Sequence, residues 1–136
     1  MRDKIITLCG STRFKPEFEK ADRELTFRGY LVFSIGGTFT KFEKGHIRRK
    51  ILKHETMICR VHKRKIRKSC AIFVVDGKEG YTGKHTNSEI RLAEKLGIPV
   101  FYWSKGDLKM LINKKFSRVL ANVIETARAR RDEGAI

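Results

Sequence analysis

The chain predicts an α/β fold, a three-layer flavodoxin-like or Rossmann-like sandwich around a mainly parallel sheet of four to five strands. Three observations carry this. Short apolar runs of strand length recur at 5–8, 30–35, 71–75 and 98–103, and amphipathic stretches of helical period stand between them. The runs are continuous rather than alternating, as expected for strands covered on both faces. Glycine-bearing polar turns follow the first and third runs, where strand gives way to helix.

Taken in order, Ile5 to Leu8 is the first strand and ends in Cys9-Gly10-Ser11. Pro16 to Arg28 carries Phe18, Ala21 and Leu25 at helical spacing and stops at Gly29. Tyr30 to Ile35 is a second strand, closed by Gly36-Gly37, and Thr38 to Gly45 has no period and reads as a loop over one end of the sheet. His46 to Ser69 places Ile47, Ile51, Ile58, Val61 and Ile66 along one side of a single long amphipathic helix with a cationic outer face. Ala71 to Val75 is the clearest buried strand and gives way to Asp76-Gly77. Thr86 to Leu96 is a helix closed by Gly97, and Ile98 to Trp103 is a further strand. From Asp107 a last helix aligns Leu108, Leu111, Ile112, Val119, Leu120, Val123, Ile124 and Ala127. The spacing predicts one domain over 1–130 with a frayed tail over 131–136.

Lysine and arginine total 31 against 15 acids, a net charge of +16, which favours phosphorylated ligands or polyanionic partners and says nothing about fold. Cys9, Cys59 and Cys70 include no CxxC pair, so spacing supports neither a disulfide framework nor a zinc site, and the expectation is no metal and no cofactor. A reducing cytoplasm fits best. No segment approaches the roughly 20 apolar residues of a membrane span.

Chemistry concentrates in the two strand-end turns, since ligands of parallel α/β sheets bind at the carboxyl ends of strands. In the first, Gly10 permits a tight bend, Ser11 and Thr12 offer hydroxyl and N–H donors, and Arg13 supplies a cationic fork suited to phosphate. No Gly-Lys-Ser/Thr follows, so it is not a Walker loop. The plainer alternative is a turn that ends a strand and caps a helix. The second turn holds Asp76, Gly80, Tyr81, Gly83, Asn87, Ser88 and Glu89. There Thr86-x-x-Glu89 also matches a capping box, in which Glu89 would satisfy its own helix. If the turns lie side by side, they form a pocket for a sugar phosphate with the Glu89 carboxylate pointing in.

The run Ile6-Thr7-Leu8-Cys9-Gly10-Ser11-Thr12-Arg13, the loop from Asp76 to Gly83, and Ser88-Glu89-Ile90 followed by Ala93 and Leu96-Gly97-Ile98-Pro99-Val100 resemble the nucleoside 2-deoxyribosyltransferase superfamily. That group includes deoxynucleoside 5′-monophosphate N-glycosidases, and the resemblance spans residues 4 to 103. It implies a flavodoxin-like homo-oligomer, a dimer or larger, acting on the N-glycosidic bond of a nucleoside or nucleotide. Glu89 matches the catalytic glutamate that attacks the anomeric carbon. Ser11 and Arg13 match the turn that holds the 5′-phosphate, with Ser88 and the donors from Gly83 to Asn87 completing the cradle. Asp76 lies where a second carboxylate would contact the sugar or the base.

One departure concerns catalysis. The helix aspartate that assists the departing base falls near His62 or Lys63 here, and neither is a carboxylate. Imidazole can act as an acid near neutrality, which makes His62 the substitute; the alternative is one more polar residue in a basic helix. Two further functions stay open. One is a nucleotide-binding module that has lost its chemistry. The other is a nucleic-acid-associated protein using the basic 47–68 segment without base specificity, where Arg48, Arg49, Lys50, Lys53, Arg60, Lys63, Arg64, Lys65, Arg67 and Lys68 are opposed by Glu55 alone.

Overall fold

The computed structural model describes residues 4–35, 44–113 and 117–134. Strands β1 (Ile5–Gly10), β2 (Leu31–Phe33), β3 (Ala71–Val75) and β4 (Val100–Tyr102) form one sheet in the order β2-β1-β3-β4. Every pairing is parallel, with Ile5 opposite Leu31, Leu8 opposite Phe73 and Phe73 opposite Phe101. Helices α1 (Lys15–Phe27), α2 (Gly45–Lys53), α3 (Glu55–Arg67), α4 (Lys84–Lys95), α5 (Asp107–Ile112) and α6 (Ser117–Gly134) are the α-helices among the described residues. The predicted α/β sandwich is therefore the fold.

The period of two along each strand explains why the runs are wholly apolar. Ile6, Leu8, Ala71, Phe73 and Val75 face one core with Ala21 and Leu25 of α1, Leu108 and Leu111 of α5 and Ile124 of α6. Cys9, Ile72 and Val74 face the other, with Ile66 of α3, Ala93 of α4 and Ile98. Thr7 also points to this second side, where its hydroxyl and that of Ser69 are hydrogen-bonded at 2.5 Å, so the one polar side chain inside β1 is satisfied.

Several boundaries differ from expectation. The long 46–69 helix is two helices broken at His54, whose ring Nδ1–H donates to the Lys50 carbonyl at 2.8 Å and closes α2. The break falls in the polar run His54-Glu55-Thr56, so it costs no buried apolar contact, and hydrophobic spacing alone does not register it. The last helix likewise divides into α5 and α6, and Val123 is exposed rather than inward. The side chains of Val119 and Leu120 lie outside the described residues. Helix α6 runs on to Gly134, through most of the stretch read as a frayed tail. The 36–43 stretch, and with it nearly all of the Thr38–Gly45 loop, lies outside the described residues, while Gly45 opens α2. Among the described residues no helix is long and apolar enough to cross a membrane.

Candidate active site

Both strand-end turns are built on backbone that only glycine tolerates. Gly10 ends β1 at φ +138, and a Cβ there would run into the Val75 carbonyl of the neighbouring strand. Gly77, at φ +68 after β3, lets the Phe14 ring pack where a side chain would stand. The turns therefore touch: Phe14 meets Tyr81 edge-on at 6.5 Å between ring centroids, and the Arg13 guanidinium lies 3.7 Å above the Tyr81 ring.

Beside this junction is a cavity of about 450 Å³. Gly10, Ser11 and Thr12 line it from the first turn, Tyr81 and Gly83 from the second, and Thr86, Ser88 and Glu89 from α4. That volume is within the usual range for small-molecule sites. Helix α4 begins at Lys84, two residues before the expected Thr86, with Gly83 as its cap. Gly83 has no side chain to satisfy the first-turn N–H groups, which leaves that end suited to an anion. Lys84, Lys63 and Arg48 add positive charge to the cavity wall.

The earlier helix start removes the capping-box alternative for Glu89. Its carboxylate instead reaches across to α3, where Oε2 lies 3.3 Å from His62 Nε2. Both residues are buried, His62 at 4% exposure and Glu89 at 9%. Cys9 completes the group, its Sγ 3.8 Å from the same His62 nitrogen. Burial, and then the Glu89 charge beside it, push the Cys9 thiol well above its ordinary range. Cysteine spacing lent no support to a zinc site, for want of a CxxC pair, yet one ligand atom each from Cys9, His62 and Glu89 falls within 4.8 Å of the others.

Other expected residues have different tasks. Both Asp76 carboxylate oxygens are engaged by Ser104, which donates its backbone N–H at 2.8 Å and its hydroxyl at 2.6 Å. Asp76 thus ties the end of β3 to the turn after β4 and does not line the cavity. Gly80, at φ +75, shapes the same turn, whose Tyr81 N–H donates to the Asp76 carbonyl at 2.8 Å. Asn87 accepts from the Thr82 hydroxyl at 2.6 Å, anchoring the turn to α4 rather than facing the cavity. Arg13 is stacked on Tyr81, outside the lining, and Ser11 caps the short 3-10 turn Thr12–Phe14 by accepting from the Arg13 N–H at 3.4 Å.

Sequence reasoning missed a second constellation at the cavity wall. His85 of α4 lies between two α3 residues, with Nδ1 3.8 Å from Cys59 Sγ and Nε2 3.5 Å from Glu55 Oε1. These residues are 26 and 30 positions from His85 and match no local motif, so only the packing of α3 on α4 joins them. Compared with known proteins, the chain matches no family model, no curated protein and no solved structure.

Proposed function

We propose that the chain cleaves, or transfers between bases, the N-glycosidic bond of a nucleoside or nucleoside 5′-monophosphate, as in the nucleoside 2-deoxyribosyltransferase superfamily, with Glu89 as nucleophile. The observation that carries this reading is the position of the Glu89 carboxylate: in a cavity shared by both strand-end turns and within 3.3 Å of an imidazole.

In the first step a Glu89 oxygen attacks the anomeric carbon and the C–N bond breaks, its electron pair leaving with the base. His62, when protonated, supplies a proton to the departing nitrogen, taking the part of the missing helix aspartate. Water, or the nitrogen of a second base, then attacks the glycosyl ester, His62 accepts the proton released, and Glu89 is freed. A 5′-phosphate fits the uncapped start of α4, with Lys84 and Ser88 beside it and Ser11 and Thr12 opposite.

A homo-oligomer belongs to the same proposal. It is supported by apolar side chains left open on α2 and α3, where Ile47, Leu52 and Met57 are each about half exposed (49%, 53% and 53%). A reducing compartment suits three free cysteines. The test is incubation with a mixed pool of nucleosides and nucleotides, read by mass spectrometry. The reading expects free base and a sugar adduct on Glu89, both absent in Glu89→Ala; no turnover across the pool overturns it.

A further inference from the structure

We propose that Cys9, His62 and Glu89 form a transition-metal site of the zinc class, with buried Cys9 behind the cavity wall that His62 and Glu89 line. The side chains converge from β1, α3 and α4, with one ligand atom of each within 4.8 Å of the others. His62 Nε2 lies 3.3 Å from Glu89 Oε2 and 3.8 Å from Cys9 Sγ. Zinc bonds of about 2.0–2.1 Å to nitrogen or oxygen and about 2.3 Å to sulfur, at tetrahedral angles, put nitrogen roughly 3.3 Å from oxygen and roughly 3.6 Å from sulfur. Both separations from the His62 nitrogen are therefore close to metal-ligand geometry, and the third pair is within 4.8 Å.

A second observation comes from the polar atoms themselves. Glu89 Oε2 is buried and has no hydrogen-bond partner, so its approach to His62 is close without being a hydrogen bond. A buried carboxylate oxygen in that condition is unfavourable, and a cation shared by the three side chains supplies what the protein does not. One thiolate, one imidazole and one carboxylate, with water as a fourth ligand, match zinc or cobalt and do not suit magnesium or calcium, which take oxygen ligands. The neighbouring Cys59, His85 and Glu55 offer the same donor types but use opposite nitrogens of the His85 ring, so they cannot close on a single ion.

The site stands apart from the glycosidase reading; only its consequence for turnover rests on that reading. A metal bound to Oε2 withdraws charge from the whole Glu89 carboxylate and holds it away from an anomeric carbon, so zinc loading silences the nucleophile.

The test titrates the full chain, stripped with a chelator, with Co²⁺ and then Zn²⁺, read by absorption. One equivalent of Co²⁺ is expected to bring up visible bands of a four-coordinate ion and a near-ultraviolet thiolate charge-transfer band, both displaced by Zn²⁺. Cys9→Ser removes the charge-transfer band, whereas Cys59→Ser and Cys70→Ser keep it. No bands in the wild type, or bands that survive Cys9→Ser, overturn the proposal. Should Cys9→Ser fail to fold, His62→Gln and Glu89→Gln decide: loss of stoichiometric binding supports the site and unchanged binding rejects it. Base release is measured separately on the stripped chain. No turnover there counts against the glycosidase reading and leaves the metal site standing, while turnover that Zn²⁺ does not suppress overturns the silencing.

Discussion

The carboxylate of Glu89 and the imidazole of His62 face each other at 3.3 Å across two helices that approach only through folding. Removing either changes different steps of the proposed reaction. Glu89→Ala removes the nucleophile and is expected to abolish base release while far-ultraviolet circular dichroism stays native. His62→Ala leaves the nucleophile and removes the proton donor, so kcat is expected to fall about 10²–10⁴-fold. The loss should be smaller for substrates whose base leaves readily without protonation. An equal loss for good and poor leaving bases shows that His62 only holds Glu89 in position.

Asp76 separates a structural carboxylate from a catalytic one. Its two oxygens hold Ser104 and do not line the site cavity, so Asp76→Ala is expected to reduce stability by about 1.5–3 kcal/mol, the range for hydrogen bonds to a charged group. Urea denaturation measures this directly. kcat should stay within a few-fold of wild type on the folded fraction; loss of turnover in a stably folded Asp76→Ala chain contradicts that assignment.

The uncapped start of α4 predicts which residues read a phosphate. Lys84→Ala should raise KM for a nucleoside 5′-monophosphate about tenfold, as expected for one lost charge-assisted contact, and leave KM for the unphosphorylated nucleoside unchanged. Arg13→Ala should change either value less, because its guanidinium is occupied by the Tyr81 ring. Inorganic phosphate as a competitive inhibitor gives a simpler readout of the same subsite. The reverse ranking of Lys84 and Arg13 would return the phosphate to the first turn.

Thiol chemistry offers a pH test. Burial pushes the Cys59 thiol up, and the Glu55 and Glu89 charges push it the same way against a smaller opposing effect of Lys63. The thiolate is the reactive form, so alkylation of Cys59 at neutral pH should be slower than that of a free thiol and should climb only as pH passes above the free-thiol range. Glu55→Gln removes one of the charges that raise the thiol and should speed labelling at fixed pH. Cys9 and Cys70, both buried, should label only on unfolding. Peptide mapping after alkylation at stepped pH checks each site.

The two turns were legible because strand ends in a parallel sheet announce themselves by glycine and hydroxyl residues after a continuous apolar run, as at Leu8-Cys9-Gly10-Ser11. The break at His54 was not, because a polar interruption leaves the apolar spacing on either side intact. The capping box at Thr86 was misleading for a local reason: Gly83 starts the helix a half-turn earlier and turns Glu89 toward α3. Nor could the sequence disclose the meeting of Cys9 with His62, 53 positions away, since it depends on how α3 lies against β1.

The cationic surface carries the last prediction. Arg49 and Lys53 of α2, Arg60, Arg64 and Arg67 of α3 and Lys68 at its C-cap are exposed, with one acid, Glu55, on the same helices. Duplex DNA that contacts three or four of them should bind without sequence preference, and log K should fall against log salt with a slope of about −3 to −4. Arg60→Glu combined with Arg64→Glu should flatten that slope while base release persists, because neither residue lines the cavity. Fluorescence anisotropy across a salt series measures the slope. Affinity that does not change with salt would mean that this charge is merely solvated.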